Sequence, residues 1–234
     1  KAVLASLDAM GYLQMTPVQA QSLPEILKGR DVIAQAKTGS GKTAAFGLGI
    51  VAKLRPEKKY PQALVLCPTR ELVAQVAQEI RRLASFTPYV KVLNLIGGTP
   101  LGPQAASLEH GAHVVVGTPG RILDHLSRNS LKLNSVETLV LDEADRMLDM
   151  GFGEDIAKIV AKLPRQRQTH LFSATFPESI AAMSQSYQIE PLKVAVDTKH
   201  VETKIEQVCY FVDEADKAGL VVNLLRKHRA GSTL

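Results

Sequence analysis

Cysteine and aromatic residues are scarce in this sequence. Its 234 residues include two cysteines, no tryptophan and 5% aromatic residues. Cys67 and Cys209 lie far apart, in the apolar runs "ALVLCP" and "IEQVCYFV", which disfavours both a disulfide-stapled secreted scaffold and a cysteine metal site. We expect two structural thiols in a reducing compartment, and therefore a cytoplasmic protein. The six histidines show no ligand-like spacing, so we expect no transition metal.

Long apolar runs are also missing. No run approaches the about 18 residues of a membrane span, and no signal-peptide pattern opens the sequence, so we expect no membrane association. The residues are nevertheless 45% hydrophobic, which is enough for one sizeable core. The 28 lysine and arginine residues exceed the 23 acidic residues and give a net charge of +5. This excess is a mild bias towards polyanionic ligands and is shared with many enzymes.

Short apolar runs rich in β-branched residues alternate with segments of helical periodicity such as "TRELVAQVAQEIRRLASF". This alternation predicts an α/β fold with a parallel sheet and helices on both faces. Ligands of such sheets bind beyond the carboxyl ends of the strands, so the residues after each run are candidates for function. The six predicted strands are "DVIAQA", "ALVLCP", "VKVLNLIG", "HVVVGT", "TLVLDE" and "THLFSAT".

The alternation breaks at the polar stretch "DTKHVETK". We predict a first domain over residues 1–196, a linker over 197–204, and the start of a second domain over 205–234. The last segment contains one predicted strand, "IEQVCYFV", and one predicted helix, "EADKAGLVVNLLRKH". One strand and one helix cannot bury a core, so we expect this second domain to be incomplete within these residues.

A glycine-rich stretch, "AKTGSGKT", follows the first predicted strand and opens a helix. Glycines at positions 39 and 41 allow backbone N–H groups to turn inward, and the helix adds the positive end of its dipole, which predicts an anion site. We assign Lys42 to the β and γ phosphates of a nucleoside triphosphate and the Thr43 hydroxyl to Mg²⁺. The alternative is a glycine-rich turn with a solvated lysine, and Ala36 replaces the first glycine of the usual pattern. The predicted nucleotide-binding residues here are Ala36, Lys37, Thr38, Gly39, Ser40, Gly41, Lys42 and Thr43.

The run "TLVLDEADRML", residues 138–148, changes abruptly from apolar to acidic. Acids that end a buried strand near a phosphate loop are typical of nucleotide hydrolases that hold Mg²⁺. We assign Asp142 to the Mg²⁺ shell, through water, and Glu143 to orienting and deprotonating the attacking water. Two roles are expected because neighbouring residues of an extended strand point to opposite sides. Asp145 has the simpler interpretation of an acid in the first turn of a helix.

These stretches resemble the DEAD-box ATP-dependent RNA helicases. "DEAD" at 142–145 and "AKTGSGKT" are accompanied, in that family's order, by "GYLQMTPVQ", "PTREL", "GG", "TPGR" and "SAT". The resemblance covers nearly the whole chain and implies a RecA-like fold, with ATP and Mg²⁺ as ligands and RNA binding coupled to ATP hydrolysis and local unwinding. It implies that Gln19 contacts adenine. It also implies that Asp145 hydrogen-bonds with Ser173 and Thr175, which ties the state of ATP to RNA binding.

The resemblance further implies that "PTREL", "GG" and "TPGR" bind the backbone of single-stranded RNA. Hydroxyls, guanidinium groups and exposed backbone N–H groups suit phosphate oxygens, and such contacts carry no information about base sequence. Taken singly, "TPGR" is equally well explained as an ordinary helix start and "GG" as a turn. The implied RNA-binding residues are Pro68, Thr69, Arg70, Gly97, Gly98, Thr118, Pro119, Gly120 and Arg121.

Two parts of the family pattern are not found in this sequence. It starts too close to Gln19 to show the family's upstream adenine-stacking aromatic, and nothing after "HRAGSTL" matches the second RecA-like domain with its arginine fingers. An arginine finger contributes about 10³ to 10⁵-fold to turnover. We therefore expect this chain alone to bind ATP–Mg²⁺ weakly and to hydrolyse it very slowly.

The RNA target is suggested by two stretches, "MGYLQMTPVQA" and "GKTAAFGLG". They look most like a bacterial member of the family that acts on large-subunit ribosomal RNA during ribosome assembly. Two alternatives stay open: an ATP-dependent RNA clamp that does not unwind, and another RecA-like nucleic-acid motor such as a DNA translocase. The clamp shares every motif with the unwinding enzyme, whereas Gln19 together with "DEAD" and "SAT" disfavours the DNA motor.

Overall fold

A computed structural model describes residues 2–37, 39–196 and 208–228 of the chain. The chain divides into two compact units, residues 1–198 and 199–234. The strands described in the first unit are β1 Val32–Gln35, β2 Ala63–Leu66, β3 Val92–Leu95, β4 Val114–Gly117, β5 Thr138–Leu141, β6 Gln168–Ser173 and β7 Leu192–Ala195. Its helices are α1 Ala2–Ala9, α2 Pro17–Leu27, α3 Lys42–Lys53, α4 Arg70–Leu83, α5 Leu101–Glu109, α6 Pro119–Ser127, α7 Ala144–Asp149, α8 Gly153–Val160 and α9 Glu178–Tyr187.

The strands form one sheet in the order β3-β4-β2-β5-β6-β1-β7, and every neighbouring pair is parallel. Strands β2, β4 and β5 are buried along their full length, which explains why their sequences are continuous apolar runs rather than alternating ones. The predicted α/β architecture with a parallel sheet is confirmed.

Each face of the sheet is covered by its own layer of helices. Helices α1 to α4 pack on one face, where the rings of Phe46 and Phe172 lie 5.2 Å apart between centroids. Helices α5 to α9 pack on the other face, around fully buried side chains such as Ile122, Met147 and Leu171. The two layers hold the strands rigidly, so the loops at the strand ends have fixed starting points.

All six predicted strands are present in the first unit, with shorter bounds than the apolar runs. The seventh strand, β7, was not predicted. It lies at the edge of the sheet beside β1, and only Val194 of its four residues is buried. A short, half-exposed edge strand has no continuous apolar run to reveal it.

The second unit is described only from residue 208 to 228. Its predicted helix is present as α10 Lys217–His228, preceded by a 3₁₀ turn over Glu214–Asp216. The predicted strand over 205–212 is wrong for its described part, because 208–212 have no regular secondary structure. A strand needs a neighbour for its hydrogen bonds, and none of the described strands pairs with this segment. Residues 205–207 and the predicted linker 197–204 lie outside the described residues.

Candidate nucleotide and RNA site

The order of the strands sorts the sequence motifs into two groups. Strands β1, β6 and β5 are neighbours, and their carboxyl ends carry the phosphate loop, "SAT" and "DEAD". Strands β2, β4 and β3 are neighbours, and their carboxyl ends carry "PTREL", "TPGR" and "GG". Motifs that alternate along the chain are therefore separated in space into a candidate nucleotide half and a candidate RNA half, which meet where β5 pairs with β2.

The phosphate loop joins β1 to α3. Its start is fixed by a hydrogen bond of 2.9 Å from Ala36 N to Ser173 O. Gly39 and Gly41 have φ angles of 81° and 90°, in the region that favours glycine, and Gly41 caps α3. A Cβ atom at Gly41 would lie 2.5 Å from Gln19 Nε2, so the position needs glycine for its conformation and for space. Thr38 lies outside the described residues.

A buried ion pair lies at the mouth of this loop. Lys42 Nζ is 4.0 Å from Asp142 Oδ1, and both side chains are nearly inaccessible. Neither Lys42 Nζ nor the Ser40 hydroxyl has a hydrogen-bond partner among the described residues. A buried ammonium without hydrogen bonds is unfavourable unless an anion supplies acceptors, so the arrangement is suited to a phosphate group.

Burial dominates the electrostatics of Asp142. The pKa of this carboxyl is raised to about 6, chiefly by burial. The positive charge of Lys42 acts in the opposite direction, and the negative charges of Glu143 and Asp145 act in the same direction as burial. A bound cation beside Asp142 would favour the ionised form. The oxygens of Asp142 and of Thr43, which lines the same cleft, are the ligand type that Mg²⁺ takes.

The backbone at Glu143 corrects one step of the sequence-based reasoning. Strand β5 ends at Leu141, and Glu143 has φ 53° and ψ 52°, a left-handed conformation that is uncommon outside glycine. The two acids are therefore not neighbours on an extended strand, and their separation arises from this turn. The Glu143 backbone N–H donates to Asp142 Oδ1 at 3.1 Å, and Glu143 forms an ion pair with Arg146 at 3.3 Å. Backbone strain of this kind is often found at functional sites.

Gln19 links helix α2 to the phosphate loop. Its side chain accepts a hydrogen bond from Thr16 N at 3.0 Å and donates one to Gly41 O at 3.1 Å. The first bond belongs to a capping box, in which Thr16 Oγ1 accepts from Gln19 N at 3.4 Å. The amide thus fixes the position of the loop as well as the start of the helix.

The nucleotide half opens into a cleft of about 450 Å³, lined by loop residues together with Asp142 and Glu143. Its wall also includes Tyr12, whose hydroxyl donates to Glu79 Oε1 at 2.9 Å. Six residues of this lining were not predicted from the sequence: Tyr12, Ala44, Leu72, Gln75, Val76 and Glu79. The aromatic residue inside "GYLQMTPVQ" was the signal for Tyr12, because it lies only seven positions before Gln19.

The RNA half forms a groove of about 540 Å³. It brings together residues of all three implied RNA motifs, and four further lining residues were not predicted. The predicted residues in its lining are Pro68, Thr69, Arg70, Gly97, Thr118, Gly120 and Arg121. The unpredicted ones are Glu71, Asp124, Met150 and Phe152. The two acids could have been found from their places within or just after "PTREL" and "TPGR".

Arg70 rests against the glycine pair. A Cβ atom at Gly98 would lie 2.0 Å from Arg70 Nη1, and one at Gly97 would lie 3.5 Å from Arg70 Nη2. Gly98 has a φ angle of 77°, so the pair does form a turn, as the alternative interpretation held. The turn also makes room for the guanidinium group. Thr69 caps α4, since its Oγ1 accepts from Leu72 N at 3.2 Å.

Arg121 is 9% exposed, and only one of its three guanidinium nitrogens donates a hydrogen bond to a described residue. Its Nη2 donates to Thr99 O at 3.0 Å, and its Nε lies 3.6 Å from Asp124 Oδ2. Nε and Nη1 are buried without hydrogen-bond partners among the described residues. Pro119 occupies the first turn of α6, and Thr118 caps that helix without a side-chain hydrogen bond. The groove is therefore lined by a guanidinium group with two N–H donors that lack an acceptor among the described residues, and such donors suit a phosphate.

A hydrogen-bonded link connects "DEAD" to "SAT". Thr175 donates to Asp145 Oδ2 from its backbone N at 2.9 Å and from its hydroxyl at 2.8 Å. Burial raises the pKa of Asp145, but these bonds outweigh it, so the pKa lies below its usual value. The Ser173 hydroxyl is fully buried and makes no hydrogen bond of standard geometry with a described residue, but it interacts with Asp145 closely enough to help lower the pKa of that carboxyl. Ser173 is the last residue of β6, so its backbone is held in the sheet. Thr175 lies beyond the strand, and its side chain reaches Asp145.

The model of the DEAD/DEAH box helicase family matches residues 16–183. The chain belongs to this family. The match spans the interval from the capping box of α2 to the middle of α9, and therefore includes Gln19 and all the motifs that follow it in the sequence. The family resemblance inferred from the sequence is confirmed.

Named relatives support the same conclusion. The chain is 52% identical over 231 residues to "ATP-dependent RNA helicase DbpA" of Escherichia coli, covering 99% of this chain and 50% of the relative. It is 43% identical over 224 residues to "DEAD-box ATP-dependent RNA helicase CshA" of Bacillus cereus, covering 95% and 42% respectively. The chain thus spans about half the length of these curated relatives.

Two solved structures share the fold. A DEAD box protein from Methanococcus jannaschii aligns with a TM-score of 0.81 at 35% identity, covering 97% of this chain and 61% of the other. A hypothetical ATP-dependent RNA helicase from Sulfolobus tokodaii aligns with a TM-score of 0.77 at 37% identity, covering 83% and 56%. These neighbours confirm the RecA-like DEAD-box fold of the first unit.

In the part of this DEAD-box chain that the structure describes, no helix has the length and apolar character needed to cross a membrane. In the same residues, no three histidine, cysteine, aspartate or glutamate side chains group closely enough to hold a metal ion.

Proposed function

We propose that this chain is the ATP-binding part of an ATP-dependent RNA helicase, in which ATP hydrolysis is coupled to RNA backbone binding and local duplex unwinding. The observation that carries the proposal is the buried ammonium of Lys42, which has no hydrogen bond to a described residue and lies 4.0 Å from Asp142 behind a glycine loop. The proposed domain is residues 1–196, followed by the linker 197–204 and the beginning of a second RecA-like domain.

In this proposal ATP lies in the 450 Å³ cleft. Lys42 and the loop N–H groups from Ala36 to Thr43 hold the phosphates, and Gln19 contacts the adenine edge while it keeps the loop in place. Mg²⁺, held by Thr43 and through water by Asp142, would neutralise charge on the phosphates.

Glu143 is the proposed base. Its carboxylate follows the turn after Asp142 and orients the attacking water, from which it accepts a proton. The Glu143 carboxylate forms an ion pair with Arg146 at 3.3 Å, which orients it. The left-handed backbone at Glu143 directs it away from the position of Asp142.

RNA is proposed to lie along the 540 Å³ groove with its phosphates on Arg70, Arg121 and the N–H groups near Gly98 and Thr118. Such contacts do not read base sequence, and affinity should fall steeply as salt rises. The bond between Asp145 and Thr175 links helix α7 to the segment that follows β6, and we propose that it transmits the state of ATP to the RNA half.

The nucleotide proposal is tested by titrating a fluorescent adenine nucleotide with Mg²⁺ into the chain and into Lys42→Ala and Gln19→Ala. Lys42→Ala should abolish saturable binding, Gln19→Ala should weaken it, and guanine nucleotide should fail to compete. Lys28→Ala is the matched control, because Lys28 is exposed and pairs only with Glu25 at the surface. Binding that is unchanged by Lys42→Ala would refute the proposed site.

The RNA proposal is tested by fluorescence anisotropy with a labelled oligouridylate. Arg70→Ala should reduce affinity about tenfold or more and lower the slope of affinity against salt, as removal of a phosphate contact does. Arg128→Ala, at an exposed position beyond the end of α6, is the control. Equal losses in the two variants would mean that only net charge matters.

The cellular role is a narrower proposal. The 52% identity to DbpA and the two stretches noted above favour large-subunit ribosomal RNA in the cytoplasm as target and location. The 234 residues alone should hydrolyse ATP very slowly, since the resemblance assigns arginine fingers to a second domain. An RNA-stimulated rate comparable to that of an intact helicase would contradict this expectation.

The RNA clamp is kept as the second candidate, because Asp145 and Thr175 would couple ATP to RNA grip equally well without unwinding. Strand displacement by the full-length protein, compared with RNA retention under a non-hydrolysable ATP analogue, separates the two functions. Stimulation by duplex DNA instead of RNA would favour another RecA-like motor.

A further inference from the structure

The amino edge of the sheet, opposite the nucleotide and RNA sites, carries a second concave surface. It consists of two adjoining depressions of about 700 and 280 Å³ that share Asn129, Leu131 and Lys132. Their lining comes from segments 59–61, 102–109 and 126–134, together with Lys162. We call this surface the amino-edge groove. It lies just before strands β2, β4 and β5, whereas the proposed ligand sites follow the strands, so it is separate from them.

The charge of the amino-edge groove is predominantly positive. Among the described residues that line it, three lysines stand against one carboxylate: Lys59, Lys132 and Lys162 against Glu109. All three lysines are exposed, and none of them forms an ion pair with a described residue. The groove therefore offers several ammonium groups to an anionic partner.

The floor between the lysines is aliphatic. It is formed by Pro61, Ala105, Ala106, Leu108 and Leu131, of which Leu131 belongs to the core beneath. Small side chains on α5 leave the space open, and apolar floors of this kind take aliphatic side chains. Nucleic-acid strands usually bind on rows of aromatic rings, and the described lining contains one aromatic residue, Tyr60.

The ends of two helices border the amino-edge groove. Helices α5 and α6 end at Glu109 and Ser127, and most of their last carbonyls already accept hydrogen bonds, such as Ser107 O from Lys91 Nζ and His125 O from Ser130 N. The choice of ligand therefore depends on the exposed lysines and the aliphatic floor. A peptide can supply carboxylates and aliphatic side chains together, whereas a nucleic-acid strand has no aliphatic side chains. We propose that the amino-edge groove binds an extended acidic peptide segment with aliphatic side chains, contributed by a protein partner.

The probe for the first test is a random dodecapeptide library displayed on phage and selected on the full 234-residue chain. Selected peptides should be enriched in aspartate, glutamate and aliphatic residues. A labelled selected peptide should bind Lys132→Glu at least about tenfold more weakly than the unaltered chain, because like charges oppose each other at the contact. Lys193→Glu makes the same charge change at an exposed position of the edge strand β7, which is separated from β5 by β6 and β1. This control should leave peptide binding within about twofold.

A second variant separates charge from shape. Ala106→Trp keeps the net charge, lies on the exposed side of α5 and should block the floor and abolish peptide binding. Selection without acidic enrichment, or equal binding to Lys132→Glu and the unaltered chain, would overturn the proposal. So would a labelled oligouridylate that competes with the peptide and itself loses affinity in Lys132→Glu, since the groove would then be a nucleic-acid site.

Discussion

His170 should make this chain less stable as the pH falls. It lies in the middle of β6, between Val32 of β1 and Val140 of β5, and it is fully buried. Both ring nitrogens lack hydrogen-bond partners among the described residues. Burial, aided by the positive charge of Lys53, lowers the pKa of His170 from 6.5 to about 3. The perturbation is His170→Leu, which replaces the unsatisfied ring with an aliphatic side chain of similar size.

The magnitude follows from linkage between folding and protonation. Below pH 6.5 the unfolded chain binds a proton at this position, while the folded chain does so only below about pH 3, so stability falls as the pH falls through this window. Between pH 7.5 and pH 5.0 the loss is about 2 kcal/mol, set almost entirely by the unfolded pKa. At pH 7.5 the leucine variant should already gain about 1 kcal/mol from removal of unsatisfied polar atoms.

The assay is urea unfolding of both chains at pH 7.5 and pH 5.0. The stability difference between His170→Leu and the unaltered chain should widen by about 2 kcal/mol at the lower pH. Any packing cost of the leucine cancels in this comparison, as does the opposite pH effect of Asp142, whose pKa is raised. His110→Gln, at an exposed position on the surface, is the control. A difference that stays constant between the two pH values would refute the reasoning.

Three further predictions concern single contacts. Asp31→Ala removes a buried carboxylate that accepts from two backbone N–H groups at 2.7 Å, and should lower the free energy of unfolding by about 2 to 4 kcal/mol in urea titrations. Gly98→Ala should displace Arg70 and weaken oligouridylate binding, while adenine-nucleotide affinity measured by fluorescence stays unchanged. Thr175→Val removes the hydroxyl bond to Asp145 and, in the full-length protein, should lower RNA stimulation of ATP hydrolysis about tenfold while nucleotide affinity stays within about twofold. Loss of nucleotide affinity in Gly98→Ala would contradict the division of the sheet into two halves, and its loss in Thr175→Val would contradict the proposed coupling role of Thr175.

The candidate site residues could be recognised in the sequence because their signals are local. Glycines 39 and 41 and Lys42 lie within four positions, and the end of an apolar run announced Asp142. Features formed by distant segments could not be predicted. The amino-edge groove joins lysines that are about 30 to 100 positions apart, and the unsatisfied ring of His170 is visible only once β1, β5 and β6 pair around it.

Backbone conformation was the other source of error. Propensity gives no reason for a left-handed glutamate at position 143, because the turn is imposed by the strand before it and by the helix after it. Strand β7 has one buried residue among four, and therefore too weak a pattern to recognise. The strand expected over 205–212 had the apolar pattern but, in its described part, no neighbour to pair with.

The strand order has a consequence for synthesis on the ribosome. Strands β2 to β5 pair only with one another, apart from the bond of β5 to β6, and they are complete once residue 141 has been made. Strand β1 is made first but lies between β6 and β7, so its last partner is translated about 160 residues after it. At about 5 to 20 residues per second this delay is about 8 to 32 s. For most of that interval strand β1 of the nascent chain lacks both of its neighbouring strands, so the RNA half should mature before the nucleotide pocket is complete.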